Sequence, residues 1–279
     1  MYLVIGLICF IGIPHGATDH VVFKYLSADK LSLINIIIKF YLFYIVAILA
    51  YSLFWYLFPS FSLIIFIVIS AYHLGQSNLY YLSLPKNKIL KTFIYFSWGL
   101  FVVFGPILSN SKEVIAILEN ILGITWIVNL DNKEYFLALI ILLNSLIISA
   151  LFIFKYANNK ELLREALNLS VLAILFYTAP LMVSFGVYFC LWHSLGSTFD
   201  QLQLIRKSNL KFNLLDVYLQ YIPLTIIALL VFITVYCFLA HFNKNLSPEN
   251  LNAIIGLFFI GLAAITLPHT IIRDKLYSR

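Results

Sequence analysis

The chain has 279 residues, 62% of them hydrophobic and only 11% charged, with a formal charge of +6. Soluble domains run about 25% charged, so this composition leaves no separate water-soluble domain, and a single membrane-embedded helical domain over 1–279 is expected. The basic residues lie in short loops between apolar runs, where membrane orientation explains them and no nucleic-acid partner is implied.

A spanning helix needs about 20 mostly apolar residues. Runs near 2–23, 32–58, 60–83, 89–109, 135–155, 166–182, 184–205, 217–242 and 250–272 predict an all-α, polytopic transmembrane bundle of eight or nine spans in a cell membrane. The opening run MYLVIGLICFIGIPHG lacks a basic region ahead of its apolar stretch, so it reads as a retained first helix rather than a secretion signal. Pro59, Pro85, Pro180 and Pro248 punctuate the later boundaries. The stretch 111–130 is interrupted by Glu113 and Glu119 and is expected to lie along the interface or to re-enter partly. With nine spans threaded, fifteen lysines and arginines fall on one side, Arg273 among them, and only Lys112, Lys133 and Lys244 on the other. That asymmetry puts the N-terminus outside and the C-terminus in the cytoplasm. Cys9, Cys190 and Cys237 sit at wide spacings inside apolar runs, which suits buried thiols rather than a disulfide framework or a zinc pattern.

All six histidines lie within or at the edge of predicted spans. Ionisable residues inside a bilayer are rare and mark function. His73 and His193 fall near mid-membrane, His15 at comparable depth, His20 and His269 nearer the cytoplasmic end, and His241 apart from the rest at the outer end of the eighth span. Imidazole suits zinc, copper, iron and nickel, and bundle metal sites are built from inward side chains on facing helices. A shared ion would remove the cost of burying several imidazoles without partners. Asp19, one turn after His15, is placed to orient an imidazole. Gln76, Ser77 and Asn78 follow His73, and Ser194, Ser197, Thr198, Asp200 and Gln201 follow His193; these polar stripes either line a cavity or join helices. The donor set is poor in carboxylates, which disfavours ferritin-like di-metal chemistry and fits a neutral-ligand iron site open to O₂. The sequence has no phosphate-binding glycine loop, no GxSxG elbow and no mid-membrane lysine for a retinal Schiff base.

Four motifs occur in order: Gly12-Ile-Pro-His15-Gly-Ala-Thr-Asp19-His20, Tyr72-His73-Leu-Gly-Gln-Ser, Trp192-His193-Ser-Leu-Gly and Leu267-Pro-His269. Together they resemble the Brp/Blh family of bacterial and archaeal membrane β-carotene 15,15′-dioxygenases, from the first helix to the last. The resemblance implies an Fe(II)-dependent oxygenase that takes β-carotene from membrane lipid, cleaves its central double bond with O₂ and releases two all-trans-retinal molecules. It places iron ligands on His15 or His20, on His73 and on His193, with His20 or His269 completing the set; His15, His73 and His193 are the expected catalytic residues. A retinal-binding rhodopsin would be the natural downstream partner. The family commonly carries a further histidine where this chain has Ser197, and the third helix reads HLGQSN where HFG and an acidic residue are more usual. A second reading follows from that departure: a carotenoid- or retinal-binding relative that has lost turnover.

Overall fold

The computed structural model describes residues 2–16, 18–27, 32–122, 132–200, a set of positions between 222 and 241, and 250–277. Helices dominate, and there is no strand among the described residues. The opening apolar run is not one helix but three pieces, α1 (Tyr2–Leu7), α2 (Ile13–Gly16) and α3 (Asp19–Ser27), with a π-helical turn, π1 (Ile8–Gly12), between the first two. Pro14 supplies the reason: it has no N–H for the carbonyl one turn back and its ring crowds that carbonyl, and a widened turn just upstream relieves both constraints. Thr18 restarts the helix, its carbonyl accepting from the Val21 and Val22 amides at 2.9 and 3.2 Å.

The long helices follow as α4 (Leu33–Leu57), α5 (Pro59–Leu79), α6 (Lys88–Ser109), α7 (Ser111–Leu122), α8 (Lys133–Ile153), α9 (Asn159–Thr178), α10 (Leu181–Val187), a second π turn, π2 (Tyr188–Leu195), and the last helix, α11 (Leu251–Tyr277). Their starts are written locally. Pro59 occupies the first turn of α5, where a missing N–H costs nothing. Asn87 caps the Ile89 and Leu90 amides. Asn158 and Glu161 form a reciprocal capping box, and so α9 begins seven residues before the expected 166. The described part of α7 covers 12 residues of the 111–130 stretch; residues 123–131 are outside the described set. Most of the predicted 217–242 helix is also outside it, although its described positions are helical.

Among the described residues, five helices are long and apolar enough to cross a membrane: Ile34–Leu57, Pro59–Leu79, Lys88–Ser109, Lys133–Ile153 and Leu251–Tyr277. Ile34, Leu42, Leu49 and Leu53 on α4, and Leu139, Leu142 and Leu146 on α8, are exposed. So large an apolar surface belongs against hydrocarbon. Cys190 is buried as expected, whereas Cys237 is exposed, on a helical stretch whose Ile233 and Val235 also face outward.

Inside, α5 and α6 approach until backbones touch. A Cβ at Gly75 would run into the Tyr95 carbonyl, and one at Gly99 into the Ala71 carbonyl. Small residues permit such contact between membrane helices, and here they fix the height of α5, which carries His73. Trp98, Phe101, Leu172 and Phe176 fill the core behind this pair, and Asn144 on α8 ties to it by donating to the Ser97 carbonyl at 3.2 Å.

Candidate metal centre

Four helical segments each contribute one imidazole to a single buried group. His15 comes from α2, His73 from α5, His193 from π2 and His269 from α11. Ring centroids run His15 to His193 4.9 Å, His193 to His73 5.1 Å, His73 to His269 4.8 Å and His269 to His15 5.0 Å, closing a quadrilateral whose His193–His269 diagonal is 6.5 Å. All four are at most 6% exposed.

Local backbone aims them. The two π turns pack on each other. Each extra residue in a turn rotates the following side chains by about 100°, and such turns recur at functional sites. Phe189, on π2, stacks on the His193 ring at 5.7 Å. A Cβ at Gly12 would lie 2.7 Å from that phenyl ring, so glycine there lets the first helix reach the His193 segment. The Gly12-x-Pro14-His15 motif thus has a packing reason as well as a chemical one.

The donors are unsatisfied. Both ring nitrogens of His15 and of His73, Nδ1 of His193 and Nε2 of His269 are buried without a hydrogen-bond partner. A buried polar atom left unpaired costs about 1–3 kcal/mol, so these six together would offset a margin as large as a domain's whole stability, about 5–15 kcal/mol. A cation shared by the rings would give orphaned nitrogens of this set a partner. One donor atom each from His15, His193 and His269 all lie within 4.8 Å of one another. Three such points have a common centre within about 2.8 Å, and metal–imidazole bonds are near 2.1 Å, so a small inward shift of each ring closes the site. The group fits a transition-metal ion held by neutral nitrogen donors.

Beneath the rings lies a charged network. Asp19, fully buried, accepts from His269 Nδ1 at 2.8 Å and from Arg273 Nε at 2.9 Å. Tyr44 OH donates to the same carboxylate in a short contact. Arg273 Nη2 reaches the His15 carbonyl at 3.3 Å and makes a short contact with Thr18 Oγ1. On the other side of α11, Asp274 accepts from Tyr72 OH and Gln76 Nε2, each at 2.9 Å. Adjacent residues of α11 therefore tie it to the first helix and to α5, one turn beyond His269.

Several sequence expectations change here. Asp19 orients His269, not its own-helix neighbour His15. His269 packs 5.0 Å from His15 and 4.8 Å from His73, ring to ring, and α11 runs on to Tyr277, five residues past the expected end. Arg273, counted among loop cations, is fully buried. His20 is not part of the group: half-buried, its ring stands edge-on to Phe40 at 6.3 Å. His241 is exposed and also outside the group. Ser197 is buried and shares a 3.1 Å hydrogen bond with Tyr277 OH. The polar stripes resolve into both alternatives: Gln76 joins helices, while Ser77, Asn78, Ser197 and Asp200 line a half-enclosed cleft that reaches His193 between Tyr188 and Trp192. Gln201 lies outside the described residues.

Sequence reasoning missed Arg273, Tyr44 and Glu165. Arg273 follows His269 by four residues just as Asp19 follows His15, and that paired spacing was the available signal. Glu165, 1% exposed, accepts from Tyr81 OH at 2.6 Å, Asn168 Nδ2 at 3.0 Å and Asn78 Nδ2 at 3.1 Å. Asn168 in turn accepts from Trp192 Nε1 at 3.2 Å, so this network holds the cleft wall.

The family model for β-carotene 15,15′-dioxygenase matches residues 6–277 of the chain. A protein named β-carotene 15,15′-dioxygenase, from uncultured marine bacterium 66A03, is 30% identical over 279 residues, covering 98% of this chain and 92% of that protein. No solved structure matches the chain. With the family model covering nearly all of it, the chain belongs to the β-carotene 15,15′-dioxygenase family.

Proposed function

We propose that the chain is an Fe(II)-dependent β-carotene 15,15′-dioxygenase of the cell membrane, with nine spans, an outside N-terminus and a cytoplasmic C-terminus. The observation that carries this reading is the closed group of four buried imidazoles on four helical segments, each with at least one ring nitrogen lacking a hydrogen-bond partner. His15, His73, His193 and His269 would hold the ion. An iron ion held there would supply the redox chemistry that activates O₂, and cleavage of the 15,15′ double bond would leave one oxygen atom in each of the two aldehydes.

The chain's own residues do the rest. Asp19 accepts the His269 Nδ1 proton and leaves Nε2 free to face the group. Aliphatic and aromatic side chains bury all four rings. Tyr188 and Trp192 line the cleft at His193, a small cavity of about 30 Å³, which would have to widen to admit a polyene drawn from lipid. Ser77, Asn78 and Ser197 on the same cleft can hydrogen-bond an aldehyde but offer nothing to a hydrocarbon, so product is favoured there over substrate. Retinal released in this way would serve a retinal-binding rhodopsin.

The second reading, a carotenoid or retinal binder without turnover, rested on the missing histidine at Ser197. With His269 as a fourth ring the donor count no longer favours it. Purified protein supplied with Fe(II), O₂ and β-carotene is expected to yield two retinal molecules per carotene consumed. Bound polyene without retinal, at full iron occupancy, would overturn the catalytic reading in favour of the binder.

A further inference from the structure

We propose that Arg273 is the positioning residue of the metal centre, acting through Asp19 on His269 and directly on the backbone of His15. This rests on the reading that the four imidazoles hold a metal ion.

The geometry is specific. A neutral imidazole can present Nε2 to a metal only if its proton sits on Nδ1. Asp19 Oδ2 faces His269 Nδ1 at 2.8 Å, and a carboxylate there fixes that tautomer and the ring plane together. A lone carboxylate cannot persist in this place, because an uncompensated charge in the bundle interior is strongly disfavoured. Arg273 Nε, 2.9 Å from Asp19 Oδ1, supplies the compensation, and Tyr44 OH takes a further lone pair. The same guanidinium extends Nη2 to the His15 carbonyl and to Thr18 Oγ1. Those atoms lie at the junction of α2 and α3, just after Pro14, where the His15 carbonyl also accepts from Thr18 Oγ1 at 2.8 Å. One buried fork thus fixes two of the four rings, on the first helix and the last. Arginine suits this task better than lysine, since it stays charged and offers several donors in fixed directions.

The test uses Co(II), which reports its ligand field by visible absorption, on full-length protein in detergent. Arg273→Met alone would strand Asp19, so the informative variant is the double change Asp19→Asn and Arg273→Gln, which keeps neutral hydrogen-bonding partners in both places. Thermal unfolding of its metal-free form is expected to stay near wild type. Its Co(II) affinity is expected to fall 10- to 100-fold, the range for lost supporting partners of ligating histidines, with a shifted Co(II) spectrum. Arg273→Lys, which keeps the charge but not the fork, should recover part of the affinity. Tyr51→Phe removes a 2.9 Å bond to the Ser62 carbonyl on a different helix pair, and should alter stability but not the spectrum. A double variant with wild-type affinity and spectrum overturns the proposal while leaving the metal site standing. If wild-type protein itself binds no Co(II), the metal reading and this proposal fall together.

Discussion

Replacing His269 by alanine removes the one ring of the group that α11 supplies. The structure sets the size of the effect. His269 makes two sides of the imidazole quadrilateral, 4.8 Å to His73 and 5.0 Å to His15, and its loss leaves three donors. Asp19 keeps Arg273 and Tyr44 as partners, so no buried charge is stranded. The fold should survive with the ordinary penalty of a core truncation, about 2–4 kcal/mol. Metal affinity should fall at least 100-fold, about 2.7 kcal/mol at 1.36 kcal/mol per decade. His20→Ala, beside Phe40 and outside the group, should change affinity less than threefold. The assay is competition against a chelator of known affinity with Fe(II) or Co(II), on protein whose unfolding temperature is measured in parallel. Equal losses in the two variants, or a His269→Ala protein that binds as tightly as wild type, would refute the four-ring assignment.

On the proposed four-ring shell, Ser197→His should not raise metal content; it should instead cost about 1–3 kcal/mol from overpacking and break the bond to Tyr277, read by thermal unfolding and metal analysis. Gly75→Ala should destabilise the chain by at least that much and lower metal occupancy too, since any relief moves α5 and His73 with it; unfolding and metal-to-protein ratio measure both. Glu165→Ala leaves the Asn78, Tyr81 and Asn168 donors unpaired beside the cleft. The expected loss is at least about 3 kcal/mol of stability, with metal affinity at the deeper rings nearly unchanged. Stripping metal from the wild-type protein with a chelator should lower its unfolding temperature, and Fe(II) should restore it; an unchanged temperature would show that the rings do not depend on an ion.

What the sequence made legible was what depends on one residue's neighbours along the chain. Apolar run length located the helices and Pro59 marked the start of α5, because such signals are local; the Asn158 cap went unread, and α9 begins seven residues before the expected 166. Histidine depth singled out His15, His73 and His193 for the same reason: depth is counted along one helix. What it hid depends on contacts between distant segments. Arg273 looks like an interfacial cation until α11 is known to continue past it and Asp19 to face it from the first helix, 254 positions away. The partner of Asp19 could not be chosen from spacing, since a four-residue interval favours His15 and only tertiary packing favours His269. The π turns were invisible because nothing in the residue pattern 188–195 distinguishes a widened turn from a regular one, although Pro14 gave a reason for the first.

The central claim is that four imidazoles share one ion within the bilayer-embedded bundle. X-ray absorption at the metal edge of iron-loaded protein tests it most directly. One iron per chain with a first shell of imidazole nitrogens, losing one such nitrogen in His269→Ala, is the predicted result. An iron shell made only of oxygen, or one that His269→Ala leaves intact, would contradict it.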